Sequence, residues 1–416
     1  MRSPSLPLHA RLNPTVLILA STHFLVDGYG NIFAPLLPLL IPRLHMTLAA
    51  AGVLQMCFQM ANSVAQLGFG HLADRWRSRA LLIAGPILAV TVLSLVGLAT
   101  SAWMLGAILV VGGLGGAAFH PPAAALVHRL GGERKAFAMS VHITGGSLGF
   151  ALGPLVFAPI VQQLGLAWTP IFIVPGLLAL AASLHRLPDV RPPQGRHQSR
   201  GFAGLRPYTR PLTLLYLIVV LRTLTALSFS TFMPVMLVRR GMSIGQAGLV
   251  AAAYLFCASA GGFLGGPLAD RWGSRRVIVA SLVSAVPFLA IAPLLSGWPF
   301  VVILALGGFL LQSTLPVNVT FGQMIAPISA ATVSSLMMGF AWGTGGLIVP
   351  LVGLLADRVG IEHALTATAV MPLLAALLAL PLPDDTRRGL APRAPAVNGP
   401  EAAGAGADVP VADVAE

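Results

Sequence analysis

Two ionisable side chains lie near the middle of long apolar segments of this chain. Asp27 is the acidic residue of segment 14–42, and Arg222 is the basic residue of segment 211–238. A charge at the centre of a membrane helix costs at least about 2.5 kcal/mol on insertion scales, so such groups are suspected of function by default. The carboxylate could carry a proton and the guanidinium could bind an anion. A permanent structural ion pair is the alternative.

Other polar side chains form two stripes on predicted helices, with spacings of three or four residues. The stripes consist of His23, Asp27 and Asn31, and of Gln55, Gln59, Asn62 and Gln66. Such spacing puts each set on one helix face. We therefore predict that both stripes line a cavity, and that substrate is bound by His23, Asn31, Gln55, Gln59 and Asn62. Hydrogen bonding between helices is the alternative for any single amide.

Two histidines extend this set of candidates. His120 precedes Pro121 and Pro122, and proline in a helix leaves backbone carbonyls without a partner. Histidine exchanges protons near neutral pH, so His120 is a second candidate for proton coupling. His142 lies closer to a helix end and is a candidate for substrate binding. For both, a neutral ring bonded to a backbone carbonyl is the alternative.

The composition indicates which elements position these residues. Hydrophobic residues make up 56% of the 416 residues and charged residues 9%, against about 25% charged residues in soluble domains. A helix needs roughly 20 apolar residues to cross a bilayer, and its backbone groups must pair internally. The sequence therefore predicts an all-α membrane protein with helices over 14–42, 48–70, 80–99, 103–127, 136–163, 168–187, 211–238, 245–267, 277–296, 298–325, 331–356 and 362–382.

An internal repeat divides the chain into two six-helix bundles. Residues 70–79 (GHLADRWRSR) match residues 266–275 (GPLADRWGSR), 196 positions later. We predict bundles at 1–187 and 211–382, a cytoplasmic linker at 188–210 and a disordered cytoplasmic tail at 383–416. In transporters built from parallel repeats the site lies near midplane between the halves. The same offset maps Asp27 onto Thr223, so Asp27 and Arg222 could face each other across a central cavity.

The repeated loops also predict a conformational latch. An acid at a helix end can meet another helix N-terminus, and arginines can reach carbonyls or acids. The proposed latch residues are Asp74, Arg75, Arg79, Asp270, Arg271 and Arg275. Anchoring by positive charge alone is the alternative. A third similar stretch, GLLADRVG at 353–360, falls on the opposite side of the predicted membrane and is interpreted as a chance match or structural turn.

These motifs resemble those of the major facilitator superfamily, whose signature between helices 2 and 3 is similar to both repeated loops. The stretch Gly145–Pro154 looks like a motif of exporters in that superfamily. A narrower resemblance, to the fosmidomycin-resistance type of efflux subfamily, rests on short stretches: 23–27 with 35–38, 115–121, and Arg222 with 231–234. The resemblance implies twelve helices in two pseudo-symmetric bundles and drug or toxic-metabolite efflux.

The charge distribution predicts the orientation in the membrane. The net charge is +12, and basic loops on one side of a bilayer explain it better than nucleic-acid binding does. With both termini inside, the cytoplasmic segments hold twenty Lys and Arg residues and the external ones four. The excess of basic residues marks the cytoplasmic side. We therefore expect a bacterial cytoplasmic (inner) membrane protein with both termini in the cytoplasm.

The sequence predicts a transporter and not an enzyme, with no cofactor and no metal. It contains no P-loop and no HExxH motif, so transport must draw on a gradient. The predicted function is proton-coupled efflux of a small anionic or amphipathic compound by a monomer in the lipid bilayer. Proton-coupled uptake through the same residues is one alternative. A non-transporting membrane sensor or scaffold is another.

Overall fold

A computed structural model describes residues 13–75, 78–131, 135–185, 187, 201–327 and 330–384. Among these residues, twelve helices are long and apolar enough to cross a membrane, and we number them 1 to 12 in chain order. They are Pro14–Arg43, Leu48–Ala73, Arg79–Leu98, Ala102–Leu130, Phe137–Leu164, Leu166–Leu184, Leu205–Arg239, Ile244–Trp272, Ser274–Leu294, Gly297–Ile325, Thr332–Val359 and Ile361–Ala379. The predicted all-α membrane fold is confirmed.

Some helices are interrupted inside the predicted segments. Helix 1 consists of Pro14–Gly30 and Phe33–Arg43, with a break just after the turn that carries Asp27. The 3₁₀ helix Gly201–Tyr208 overlaps the start of helix 7, which continues as the α-helix Thr209–Arg239, so the end of the predicted linker is helical. The rest of that linker, 188–200, and nearly all of the predicted tail, from residue 385 onward, lie outside the described residues.

The two halves contact each other through helix 2 against helix 11 and helix 5 against helix 8. The distance between helices 2 and 11 grows steadily along helix 11. A Cβ added at Gly353 would lie 2.4 Å from the Leu48 carbonyl oxygen, and one at Gly346 would lie 2.8 Å from the Gln59 side chain. At Gly343 the nearest atom is at 3.0 Å, and at Gly339 it is at 3.5 Å. The two helices therefore move apart toward the N-terminal end of helix 11.

That divergence defines two faces of the molecule. We call the face where helix 1 begins and helix 12 ends the terminal face, and the opposite one the far face. Close contacts lie toward the far face, where Gly248 meets the Pro154 carbonyl and the Gly245 amide donates to Gln162 at 2.7 Å. Toward the terminal face, a Cβ at Gly68 or Gly266 would meet no atom of the described residues within 4 Å. The halves are therefore closed at the far face, and helices 2 and 11 lie farther apart toward the terminal face.

Helices 1 and 5 pack within the first half at backbone contact distance. A Cβ at Gly149 would lie 1.9 Å from the Phe24 carbonyl oxygen, so no larger residue fits there without moving a helix. Small residues allow such close approach between membrane helices. The residues of helix 1 that surround Asp27 are therefore held rigidly against helix 5.

Candidate functional site: a histidine–aspartate cluster and a buried arginine

The structure brings Asp27 together with two histidines from different parts of the sequence. Asp27 Oδ2 lies 3.1 Å from Nε2 of His23 on the same helix, and Oδ1 lies 3.6 Å from Nε2 of His120 on helix 4. The side chains retain 24%, 13% and 16% of their exposure, respectively. A carboxylate and two imidazoles that remain partly exposed can accept and release protons.

A third histidine closes the cluster on the side of helix 5. The His142 ring centroid lies 4.3 Å from that of His23, and the His142 carbonyl oxygen lies 2.9 Å from His23 Nδ1. His142 is itself buried. The structure thus places its side chain behind the cluster, and the predicted role of His142 in substrate binding stays a prediction.

The predicted amide residues occupy several distinct environments. Asn31 is buried, and its amide donates to the Phe150 carbonyl at 2.8 Å, which ties helix 1 to helix 5. Gln59 is buried at the contact with helix 11 and donates to the Ser63 hydroxyl at 2.7 Å. Gln55 is buried. The half-buried Asn62 lies beside Gly116, where an added Cβ would be 2.4 Å from its Oδ1. Asn62 is thus the member of this stripe that borders the histidine cluster.

Arg222 lies in the interior of the second half with a relative exposure of 0%. Its guanidinium donates to Gln312 Oε1 and, at 3.1 Å, to the Thr223 hydroxyl, and it sits 5.4 Å from the Trp342 ring centroid. Its Nε is buried without a hydrogen-bond partner in the described part of the chain. A buried cation with neutral partners retains the capacity to bind an anion, because burial of an unpaired charge is costly.

Asp27 and Arg222 do not form an ion pair in this conformation. Asp27 is paired with the histidines of its own half, and Arg222 with Gln312 and Trp342 of the other half. The sequence repeat aligns Asp27 with Thr223, the neighbour of Arg222, but the side chains of Asp27 and Arg222 have separate partners. The arrangement offers a protonatable site in one half and a cationic site in the other.

The predicted latch residues are only partly described. The side chains of Asp74 and Arg75 lie outside the described residues, and Asp270 and Arg271 are exposed. Arg79 is half-buried, with its Nε shielded from solvent. Arg275 donates to the Leu382 carbonyl at 3.1 Å and lies 3.8 Å from Asp384, so it contacts the segment that follows helix 12. The latch function stays a prediction.

Asp357, in the third similar stretch, joins the two halves at the far face. Its Oδ1 accepts from the Leu48 amide and its Oδ2 from the Ala49 amide, each at 2.9 Å. Both amides belong to the first turn of helix 2, where backbone donors lack helical partners. The interpretation of this stretch as a chance match or turn missed the contact. Its Leu-Ala-Asp-Arg sequence, shared with both predicted latch loops, was the available signal.

The ligand atoms of His23, Asp27 and His120 all lie within 4.8 Å of one another. Two imidazoles and a carboxylate at this spacing could hold a divalent cation as well as protons. No such site was predicted from the sequence, because the three residues are brought together from two separate helices.

Comparison with known proteins identifies the same architecture. The model of the Major Facilitator Superfamily matches residues 19–245 and 215–409. The chain is similar to the fosmidomycin resistance protein of Escherichia coli (strain K12), with 30% identity over 377 residues that cover 88% of this chain and 92% of the relative. It is also 28% identical to the uncharacterized MFS-type transporter YfnC of Bacillus subtilis (strain 168), over 90% of this chain and 94% of that relative. The solved structure of a bacterial homologue of the human lysosomal transporter Spinster superposes with a TM-score of 0.74 at 17% identity. The match covers 88% of this chain and 95% of that one.

Proposed function

Because the chain belongs to the Major Facilitator Superfamily, we propose that it exports a small anionic or amphipathic compound in exchange for protons, by alternating access. Family membership makes the chain a multi-pass membrane transporter and not an enzyme, and the resemblance seen in the sequence is confirmed. Drug or toxic-metabolite export is the finer proposal, and the resistance-type relative supports it.

The cluster around Asp27 is the observation that carries proton coupling. Asp27 contacts two imidazoles and lies in a membrane helix, where a permanent charge has a high energetic cost. Imidazole can release its proton at physiological pH, whereas guanidinium cannot. A carboxylate paired with histidines can therefore be neutralised and recharged during a transport cycle. We assign proton carriage to Asp27 and His120.

Arg222 supports an anionic group on the substrate. Its guanidinium has neutral partners, and its buried Nε–H has no hydrogen-bond acceptor among the described residues. Because Arg222 has no exposed surface in this conformation, an anion reaches it only after helices 7, 10 and 11 rearrange. Substrate at Arg222 and protons at Asp27 would then alternate in the two conformations, as exchange requires. We retain a binding role for His23, Asn31, Gln55, Gln59, Asn62 and His142 within this proposal.

The orientation is proposed on the charge distribution. The terminal face is assigned to the cytoplasm, because the loops there hold most of the basic residues. The structure would then be open to the cytoplasm and closed to the outside. We further propose that the protein works as a monomer in the bacterial cytoplasmic membrane.

The test uses everted membrane vesicles that contain the protein in their membrane, with fosmidomycin as the probe. We expect a pH gradient, acid inside, to drive uptake of the compound into these vesicles, and expression to lower cellular susceptibility to it. Asp27→Asn should abolish accumulation against a gradient while leaving binding intact, since the amide resembles the protonated acid. If cells instead accumulate the compound in a proton-dependent manner, uptake is the function. Absence of transport across a panel of anionic and amphipathic compounds would favour a sensor.

A further inference from the structure

We infer that His23, Asp27 and His120 form a binding site for one divalent transition-metal ion of the zinc class, with two imidazole nitrogens and one carboxylate as its ligands. The site goes beyond the proposed function, because metal binding does not depend on transport. The sequence predicted no metal, since the ligands come from two separate helices. An ion held there joins helix 1 to helix 4 and occupies the carboxylate to which we assign proton carriage.

The three ligand atoms converge on one point. Nε2 of His23 lies 3.1 Å from Asp27 Oδ2, and Nε2 of His120 lies 3.6 Å from Asp27 Oδ1. With metal–ligand bonds of about 2.0–2.1 Å, neighbouring ligand atoms of a tetrahedral zinc ion lie about 3.3 Å apart. The two measured contacts fall on either side of this value, and all three ligand atoms lie within 4.8 Å of one another. Small rotations of the side chains therefore complete the site.

The His142 carbonyl orients the His23 ring for this role. His23 Nδ1 lies 2.9 Å from that oxygen, and a carbonyl oxygen can only accept a hydrogen bond, so Nδ1 carries the hydrogen of the neutral ring. The lone pair of the ring is then on Nε2, the nitrogen that faces Asp27. Metal-binding histidines almost always donate their other N–H to a backbone carbonyl, a carboxylate or water in this way. The ring is thus held with its ligand atom toward the carboxylate.

The surroundings of Asp27 favour a bound cation. Its ion-pair partners among the described residues are both histidines, so in that part of the chain no arginine or lysine neutralises the carboxylate. A charge without a partner is costly inside a membrane protein, and a metal ion supplies the opposite charge. Gly146 on helix 5 keeps the space beside the ligands free, because an added Cβ would lie 2.4 Å from His23 Nε2 and 2.6 Å from Asp27 Oδ2.

The donor atoms select the class of metal. Imidazole nitrogens suit zinc, cobalt, nickel and copper, whereas magnesium and calcium prefer oxygen ligands. Three protein ligands also leave a coordination position open, as in zinc sites that hold water or an exchangeable group. The ligand side chains keep between 13% and 24% of their exposure, so water can fill that position. The arrangement therefore fits an exchangeable ion better than a fully enclosed structural one.

Metal binding to the purified, untagged protein in phosphatidylcholine nanodiscs tests the inference without a transport assay. After a chelator has removed metals, we expect calorimetry to show binding of Zn²⁺ that an equal concentration of Mg²⁺ does not displace. X-ray absorption of the bound zinc should show two imidazoles at about 2.0–2.1 Å. Absence of zinc binding, or bound zinc without imidazole ligands, would overturn the inference. If Asp27→Asn loses gradient-driven transport while the wild type binds no zinc, the metal site alone is refuted and the proposed function stands.

Variants locate the bound ion. His120→Ala and Asp27→Asn should each weaken zinc binding by at least about tenfold, because the loss of even an outer hydrogen-bond partner of a metal ligand has an effect of this size. His128→Ala is the matched control, since His128 lies about two turns further along the same helix and is exposed. Circular dichroism and gel filtration confirm that each variant is folded. Unchanged zinc affinity in folded His120→Ala and Asp27→Asn, or an equal loss in His128→Ala, would overturn the assignment of the ligands.

Discussion

Removal of the Asp357 carboxylate should weaken closure of the far face. Asp357 on helix 11 accepts two hydrogen bonds from the first turn of helix 2, each at 2.9 Å, and so joins the two halves. Helix 2 also has its own cap, the Thr47 hydroxyl, which accepts from the Ala50 amide. The first turn therefore stays partly capped in the variant, so we expect helix 2 to remain folded while the contact between the halves is lost.

The magnitude follows from the kind of contact. An accepting side chain at a helix N-terminus contributes about 1 kcal/mol, and its negative charge adds about 0.3–1 kcal/mol at an exposed site. Asp357 is exposed, so we assign about 1–2 kcal/mol to the whole contact. This free energy corresponds to a shift of about 5- to 30-fold in the ratio of closed to open far faces. Asp357→Ala should show the full shift, and Asp357→Asn a part of it, because the amide oxygen still accepts one hydrogen bond.

Distances between spin labels on the two halves measure this ratio. Ala167 and Arg239 are exposed residues at the far face of the first and second halves. Both become labelled cysteines in a background where Cys57 and Cys257 are serine. In Asp357→Ala we expect a second, longer distance population that is weak or absent in the parent. Arg358→Gln, an adjacent exposed residue, is the control. Identical distance distributions for Asp357→Ala and its parent would refute the assignment of Asp357 as a contact that holds the far face closed.

Three further predictions concern the remaining candidates. Arg222→Ala should weaken the binding of anionic compounds by at least tenfold and leave the binding of neutral compounds little affected. Affinities measured for both classes on the purified protein test this, and equal losses would argue against an anion site. Asp74→Ala should shift the population between the two conformations and slow transport without preventing membrane insertion, as accessibility labelling from both sides would show, and unchanged labelling with unchanged transport would remove Asp74 from the latch. A reporter fused after Arg200 should be cytoplasmic and one inserted near Arg239 external, and the opposite pattern would reverse the orientation.

The fold was predictable from the sequence because each membrane helix can be recognised from its own stretch of residues. Each needs a long apolar segment whose backbone pairs within itself, and this requirement does not depend on distant residues. The twelve helices, the repeat of the GHLADRWRSR loop and the isolation of Asp27 and Arg222 in apolar segments all follow from reading along the chain. The family resemblance rested on the same local motifs and is confirmed.

The partners of these residues were decided by tertiary structure. Sequence position puts Asp27 and Arg222 at equivalent places in the two halves, which suggested a pair, but the packing of helices 1, 4 and 5 surrounds Asp27 with histidines instead. For Asp357, the sequence motif was recognised but its partners were not, because the two amides that it binds lie 309 and 308 residues away in the sequence. Helix periodicity specifies which residues share a face, whereas the residue that a face meets depends on how the helices assemble. Gly149, which lets helix 5 touch the Phe24 carbonyl, is one place where that assembly is determined.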